Sequence, residues 1–152
     1  MRHLHLIPRF FYALALVVTL ASCQNSSDPV VPTQTVIQNN VQGDTWKITS
    51  YIDSGKDETS HFTGYSFTFA TNGTITATNG SSSQTGTWSV NDSNSNDDSI
   101  DNLDFNISFS LGNDFDSLSE DWNFVSQSST RIELIHVSGG NGGTDYLTFE
   151  KI

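Results

Sequence analysis

Between Thr45 and Phe149 large apolar side chains alternate with hydroxyl, amide and acidic ones, residue by residue. Neighbouring side chains on an extended strand leave on opposite faces, so a period of two gathers the bulk onto one face of a sheet. Trp46, Ile48 and Ile52 alternate with Lys47, Thr49 and Tyr51. Tyr65, Phe67 and Phe69 alternate with Ser66 and Thr68, and Ile75 and Ala77 with Thr74, Thr76 and Thr78. Gly86, Trp88 and Val90 alternate with Thr87 and Ser89, and Leu103, Phe105, Ile107 and Phe109 with Asp104, Asn106 and Ser108. Trp122 with Phe124, Ile132 with Leu134, and Leu147 with Phe149 carry three further strands. The pattern predicts eight strands and no long helix, with a helical turn over 115–120.

The links between strands predict their connection. Asn72-Gly73 reads as a tight hairpin, because both residue types tolerate the positive φ of a type I′ turn. Asn79-Gly80 and the serines after it read as the next hairpin. The stretch 91–101 is a polar loop without packing residues, and 139–143 (Gly-Gly-Asn-Gly-Gly) is a flexible turn. Eight antiparallel strands with hairpin-length links predict an all-β, up-and-down meander. Closing it into a small barrel removes the exposed edges that template aggregation. A β-sandwich is the alternative arrangement with the same periodicity.

Several pieces carry a family resemblance: residues 43–48 (Gly-Asp-Thr-Trp-Lys-Ile), residues 65–69 followed by 72–76, and residues 86–90. Leu118 through Trp122 and the strand of Ile132 and Leu134 add to them. Over residues 42–152 the chain resembles the lipocalin-like domain of bacterial surface lipoproteins. That resemblance implies a barrel that holds a small apolar or amphipathic ligand. Trp46, Tyr65, Phe67, Phe69, Trp88, Phe105 and Phe109 would line such a cup, with Phe124, Leu134 and Phe149 also inside. The alternative uses the same residues differently. An eight-stranded barrel is just wide enough to be filled by its own side chains. The domain is then a surface interaction module for a polysaccharide or protein partner, with no ligand pocket.

The amino terminus predicts location. Arg2 and Arg9 precede an apolar run from Phe10 to Leu20, which is about half the length that spans a bilayer as a helix. Leu20-Ala21-Ser22-Cys23 resembles the lipobox of bacterial lipoprotein signal peptides. The resemblance implies that residues 1–22 are removed and that Cys23 is lipidated. Residues 23–41, with Pro29, Pro32 and many amides, read as an extended tether, and residues 42–152 as the barrel domain. In the lipoproteins this chain resembles, an aspartate after the cysteine often marks retention at the inner membrane, so with Gln24 in that place the resemblance implies the outer membrane. Cys23 is the sole cysteine, so the domain has no disulfide. Without Arg2 and Arg9 the mature chain sets four basic residues against seventeen acidic ones, a net charge of −13. Such a chain repels phosphate backbones, so no nucleic-acid partner is expected. It is expected to be a monomer.

No catalytic signature stands out. There is no Gly-x-Ser-x-Gly elbow and no Ser-x-x-Lys pair. His61 and His136, the two histidines after the signal, have no zinc-ligand spacing; His136 continues an inward face and His61 lies in a loop. Asp92, Asn94, Asn96 and Asp98 place oxygens at alternating positions, as in a calcium loop, but the required glycine and glutamate are absent. Asp98-Ser99-Ile100 and Asp116-Ser117-Leu118 resemble the sites at which exported bacterial proteins receive O-glycans. Neither an enzyme nor a cofactor is expected.

Overall fold

The computed structural model describes residues 33–92, 102–140 and 142–152. Nine strands follow one short helix: α1 (Gln34–Val41), β1 (Thr45–Asp53), β2 (Lys56–Asp57), β3 (Ser66–Phe69), β4 (Thr74–Asn79), β5 (Ser82–Asp92), β6 (Leu103–Ser108), β7 (Asp121–Gln127), β8 (Arg131–Val137) and β9 (Thr144–Lys151). Strands β3 to β9 each pair antiparallel with the next, and β1 pairs with both β3 and β9. The sheet therefore closes on itself as an eight-stranded up-and-down barrel, and the sandwich alternative falls. The ninth strand, β2, is a two-residue extension on β1 (Ile52–Asp57, Asp53–Lys56).

Closure rests on β1 against β9, from Trp46–Lys151 to Ile52–Tyr146. The apolar face of each of the eight barrel strands points inward. Trp46, Phe67, Phe69, Ile75, Val90, Phe105, Trp122, Ile132, Leu134, Leu147 and Phe149 are all buried in one cluster. The three indoles each donate to a main-chain carbonyl: Trp46 Nε1 to Val41 (3.0 Å), Trp88 Nε1 to Ala70 (3.0 Å) and Trp122 Nε1 to Leu118 (3.1 Å). Burying a donor without a partner costs on the order of 1–3 kcal/mol, so these bonds fix where the chain segments beside the barrel can sit.

Two local readings change. The hairpin at Asn72-Gly73 forms, but as a four-residue loop (70–73) in which Gly73 alone has positive φ, +80°. Asn72 instead accepts the Thr74 N–H on its side-chain oxygen (3.0 Å). A two-residue turn with both residues at positive φ occurs at Ser54-Gly55 (48° and 86°), where Asp145 Oδ1 accepts the Ser54 N–H at 2.7 Å.

The larger departure is α1. Residues 34–41 were expected to be extended tether, and they form a helix that covers one end of the barrel. Thr33 caps it (Val36 N–H to Thr33 Oγ1, 3.4 Å), and Ile37 and Val41 are fully buried in the barrel core. Gln34 Nε2 donates to the Val90 carbonyl at 2.6 Å, tying the helix to β5. The single i, i+4 apolar pair, Ile37 and Val41, with exposed Val36 off that stripe and polar residues elsewhere, is too short to read as amphipathic. Its burial comes from tertiary packing. Ile37→Ala is accordingly expected to cost about 2–5 kcal/mol, measured by urea unfolding. A cost near zero would mean that the helix does not hold the barrel end.

Candidate functional site

The expected ligand-lining residues lie together, and they lie against one another. Trp46, Phe67, Phe69, Trp88, Phe105 and Phe109 are buried, and Tyr65 is half-buried and packed on the cluster. Phe69 meets Trp88 at 5.3 Å between ring centroids, Phe105 at 5.6 Å and Phe149 at 5.6 Å. Phe67 meets Phe149 at 5.4 Å, and Phe105 meets Phe124 at 5.7 Å. Most of these pairs are edge-to-face. Such geometry places a positive ring edge on a negative face and stabilises each pair by about 0.5–1.5 kcal/mol beyond area burial.

The chain of rings continues to the end of the barrel opposite α1. Phe115, in a 3-10 turn at Asp114–Leu118, packs on Phe62 (5.3 Å), Tyr65 (5.0 Å) and Phe109 (5.2 Å). Phe62 closes a second 3-10 turn, Thr59–Phe62, and meets Tyr51 at 5.6 Å. Tyr51 in turn meets Trp122 and donates its hydroxyl to the Ser117 carbonyl at 2.7 Å. Burial pushes the Tyr51 phenol up from its ordinary value, so it acts as a neutral donor. These end plugs carry the helical turn expected near 115–120; the turn at 59–62 had no sequence signal beyond its polarity.

Both histidines sit at this end, in separate clusters. His61 faces Glu58 (3.2 Å) and Asp114 (3.6 Å), and His136 faces Glu120 and Asp145, each at 3.4 Å. His136 is not a core residue in the full sense: its side chain is 21% exposed and leans on the Trp122 ring. In each cluster the two ring nitrogens face different carboxylates, so the carboxylates approach from opposite sides of the ring. Among the described residues no group of three or more potential ligands could hold a metal ion. Asp104, on β6, is held by its neighbours. Burial and the neighbouring Asp121 push the Asp104 carboxyl up, while Asn123 donates to it at 3.0 Å.

The glycan-like triplet at 116–118 has structural duties. Asp116 accepts the N–H groups of Leu111 (2.7 Å) and Gly112 (2.8 Å), Ser117 Oγ donates to the Asp114 carbonyl (2.6 Å), and Leu118 is fully buried. Cys23, the expected signal over residues 1–22, most of the expected tether, Asn94, Asn96 and residues 98–100 lie outside the described residues. Two shallow depressions open on the outside of the wall. One, of about 380 Å³, lies beside Gly43, Thr45 and Thr71, and the other, of about 370 Å³, lies between β1 and β3.

No family model matches the chain, and no curated protein matches it. Two solved structures are similar. A DUF4847 family protein from Bacteroides vulgatus ATCC 8482 is 15% identical with a TM-score of 0.46, over 75% of this chain and 96% of that one. A protein from Burkholderia xenovorans is 12% identical with a TM-score of 0.43, over 96% of this chain and 99% of that one.

Proposed function

We propose that the protein is an outer-membrane lipoprotein whose barrel is filled and which acts as a non-enzymatic interaction module at the membrane surface. The observation that carries this reading is the state of the interior. The residues that a lipocalin-like cup would offer to a ligand are spent on one another, at ring distances of 5.3 to 5.7 Å. A ligand inside would have to displace these contacts rather than fill a space.

The outer surface supports the module reading. No aspartate, glutamate, lysine or arginine occurs between Glu58 and Asp92, in a chain that is otherwise acidic. This stretch includes β3, β4 and most of β5, and its outward rows are hydroxyls: Thr68 beside Thr76 beside Thr85, and Ser66 beside Thr78 beside Ser83. An uncharged, hydroxyl-lined wall meets a neutral polysaccharide or a protein without the repulsion that net charge imposes elsewhere. Lipidation at Cys23 would hold that wall at the membrane, since two or more acyl chains give stable anchoring.

Two measurements test the proposal. Cys23→Ser is expected to leave the domain folded and to move it from the membrane fraction to the soluble one, or to leave it unprocessed. Processed Cys23→Ser protein that still sediments with membranes contradicts the anchor. Organic extraction of the domain purified from its own cells is expected to yield no recurring small molecule held inside the barrel. A lipid or pigment recovered at about one per chain whose re-addition shifts the resonances of Phe69, Trp88 and Phe105 returns the function to a ligand-holding cup.

A further inference from the structure

The barrel wall has one thin seam. β1 and β3 pair only through Thr45–Thr68 and Trp46–Phe67. Farther along the same edge, β2 pairs with Ile52 and Asp53, and Thr59 Oγ1 accepts the Tyr51 N–H at 2.8 Å. Between these attachments, residues 47–50 have no strand partner on that edge among the described residues. The 370 Å³ groove lies in this gap. Ile48, Phe62 and Tyr65 form its apolar floor, and Lys47, Thr63 and Ser66 stand at its lips. Its size falls within the range of small-molecule sites, roughly 300–1,000 Å³.

Lys47 differs from the other cations of the described domain. Lys56 pairs with Glu58, Lys151 with Asp44 at 2.7 Å, and Arg131 with both Glu133 and Glu150. Glu150 stands opposite Lys47 in the β1–β9 ladder, but Arg131 takes its carboxylate. Lys47 thus makes no ion pair among the described residues, although acids outnumber bases about fourfold in the mature chain. An uncompensated cation beside a hydrophobic floor is complementary to one negative charge on an apolar body. A dianion would find a single positive partner for its two charges.

We propose that the β1–β3 seam binds a small monocarboxylate with a hydrocarbon tail. Its carboxylate pairs with Lys47 Nζ, the hydroxyls of Thr63 and Ser66 solvate the head group, and the tail covers Ile48, Phe62 and Tyr65. The site opens on the outside of the wall and its floor is the rim of the core cluster, so a ligand there leaves the contacts among Phe67, Phe69 and Phe105 in place.

Titration with hexanoate at low salt, followed by two-dimensional amide NMR, tests the assignment. Saturable shifts are expected at residues 47–50 and 62–66. Lys47→Gln is expected to weaken binding roughly fivefold, the upper end for an exposed ion pair, and Lys47→Arg to keep it within about twofold. Lys151→Gln removes a lysine outside the groove and is expected to leave hexanoate affinity unchanged. Hexanamide, which lacks the charge, is expected to bind the native protein as weakly as hexanoate binds Lys47→Gln. Equal affinity in Lys47→Gln, or shifts that rise without saturating, overturns the site. Shifts concentrated at Phe67, Trp88 and Phe105 also overturn it, and they alone contradict the filled barrel as well.

Discussion

Phe105→Ala is expected to cost about 3–5 kcal/mol of folding stability and to convert the barrel into a receptor for a small apolar guest. Phe105 is fully buried in β6, with Val90 beside it on β5 and Trp122 beside it on β7. Its ring touches Phe69 at 5.6 Å, Phe124 at 5.7 Å and Trp88 at 5.8 Å. Removing it takes the shared partner from three aromatic side chains, and the closed sheet leaves them little room to collapse. Domains of this size are typically stable by only about 5–15 kcal/mol, so the loss is a large share of the total. Urea unfolding followed by tryptophan fluorescence reads it. Benzene is then expected to raise the melting temperature of Phe105→Ala and not that of the native protein. Should the alanine variant not fold, Phe105→Leu makes the same comparison with a smaller void. Equal stabilisation of native and variant protein by benzene would mean that a cavity is already present.

Gly86→Val is the second large effect, for the opposite physical reason. Gly86 occupies an inward position of β5, opposite Ile75 on β4. A Cβ at Gly86 would lie 2.3 Å from the Ser108 carbonyl oxygen and 2.8 Å from Cδ1 of Phe109. The first of these is backbone in the neighbouring strand and cannot swing aside. The Phe109 ring therefore lies where a side chain at position 86 would be, as aromatic rings do over glycines in sheets. Overpacking costs about 1–3 kcal/mol where a core can adjust, and the backbone clash places valine at or beyond the upper end. Gly86→Ala is expected to fall between the valine variant and the native protein. Thr85→Ala, one residue away on the outward face, is expected to stay within about 0.5 kcal/mol. Thermal unfolding of the three variants side by side gives the ranking; a harmless valine would show that β5 and β6 are not packed this closely.

The eight barrel strands were legible because one face of each is buried and period two reports that directly. Closure was not. The β1–β9 ladder joins Trp46 to Lys151 across the whole domain, and no local pattern reports a pairing at that separation. The type I′ expectation at Asn72-Gly73 failed because a four-residue loop meets the same demand with one glycine, while Asp145, ninety-one residues away, supports Ser54 in the turn that does use two positive φ values. The helix at 34–41 was hidden because two apolar residues gain their burial only from the open end of a barrel formed later in the chain. The candidate lining residues face the interior, Tyr65 half-buried and the others buried. Whether they bound a space or filled it could not follow from residue type, which carries hydrophobicity and volume but not the distance between rings. The histidine clusters and the seam at Lys47 depend on which acids and strands meet in space, so period and composition gave no hint of them.

Xenon titration of the native domain, followed by methyl NMR, tests the central claim of a filled barrel most directly. Xenon enters dry apolar cavities without needing a polar anchor. The methyl groups of Ile75, Leu134 and Leu147 are buried in the core cluster and report on any space there. Their resonances are expected to move linearly and slightly with xenon pressure, while those of Phe105→Ala saturate. Saturating shifts at these methyls in the native domain would contradict the filled barrel.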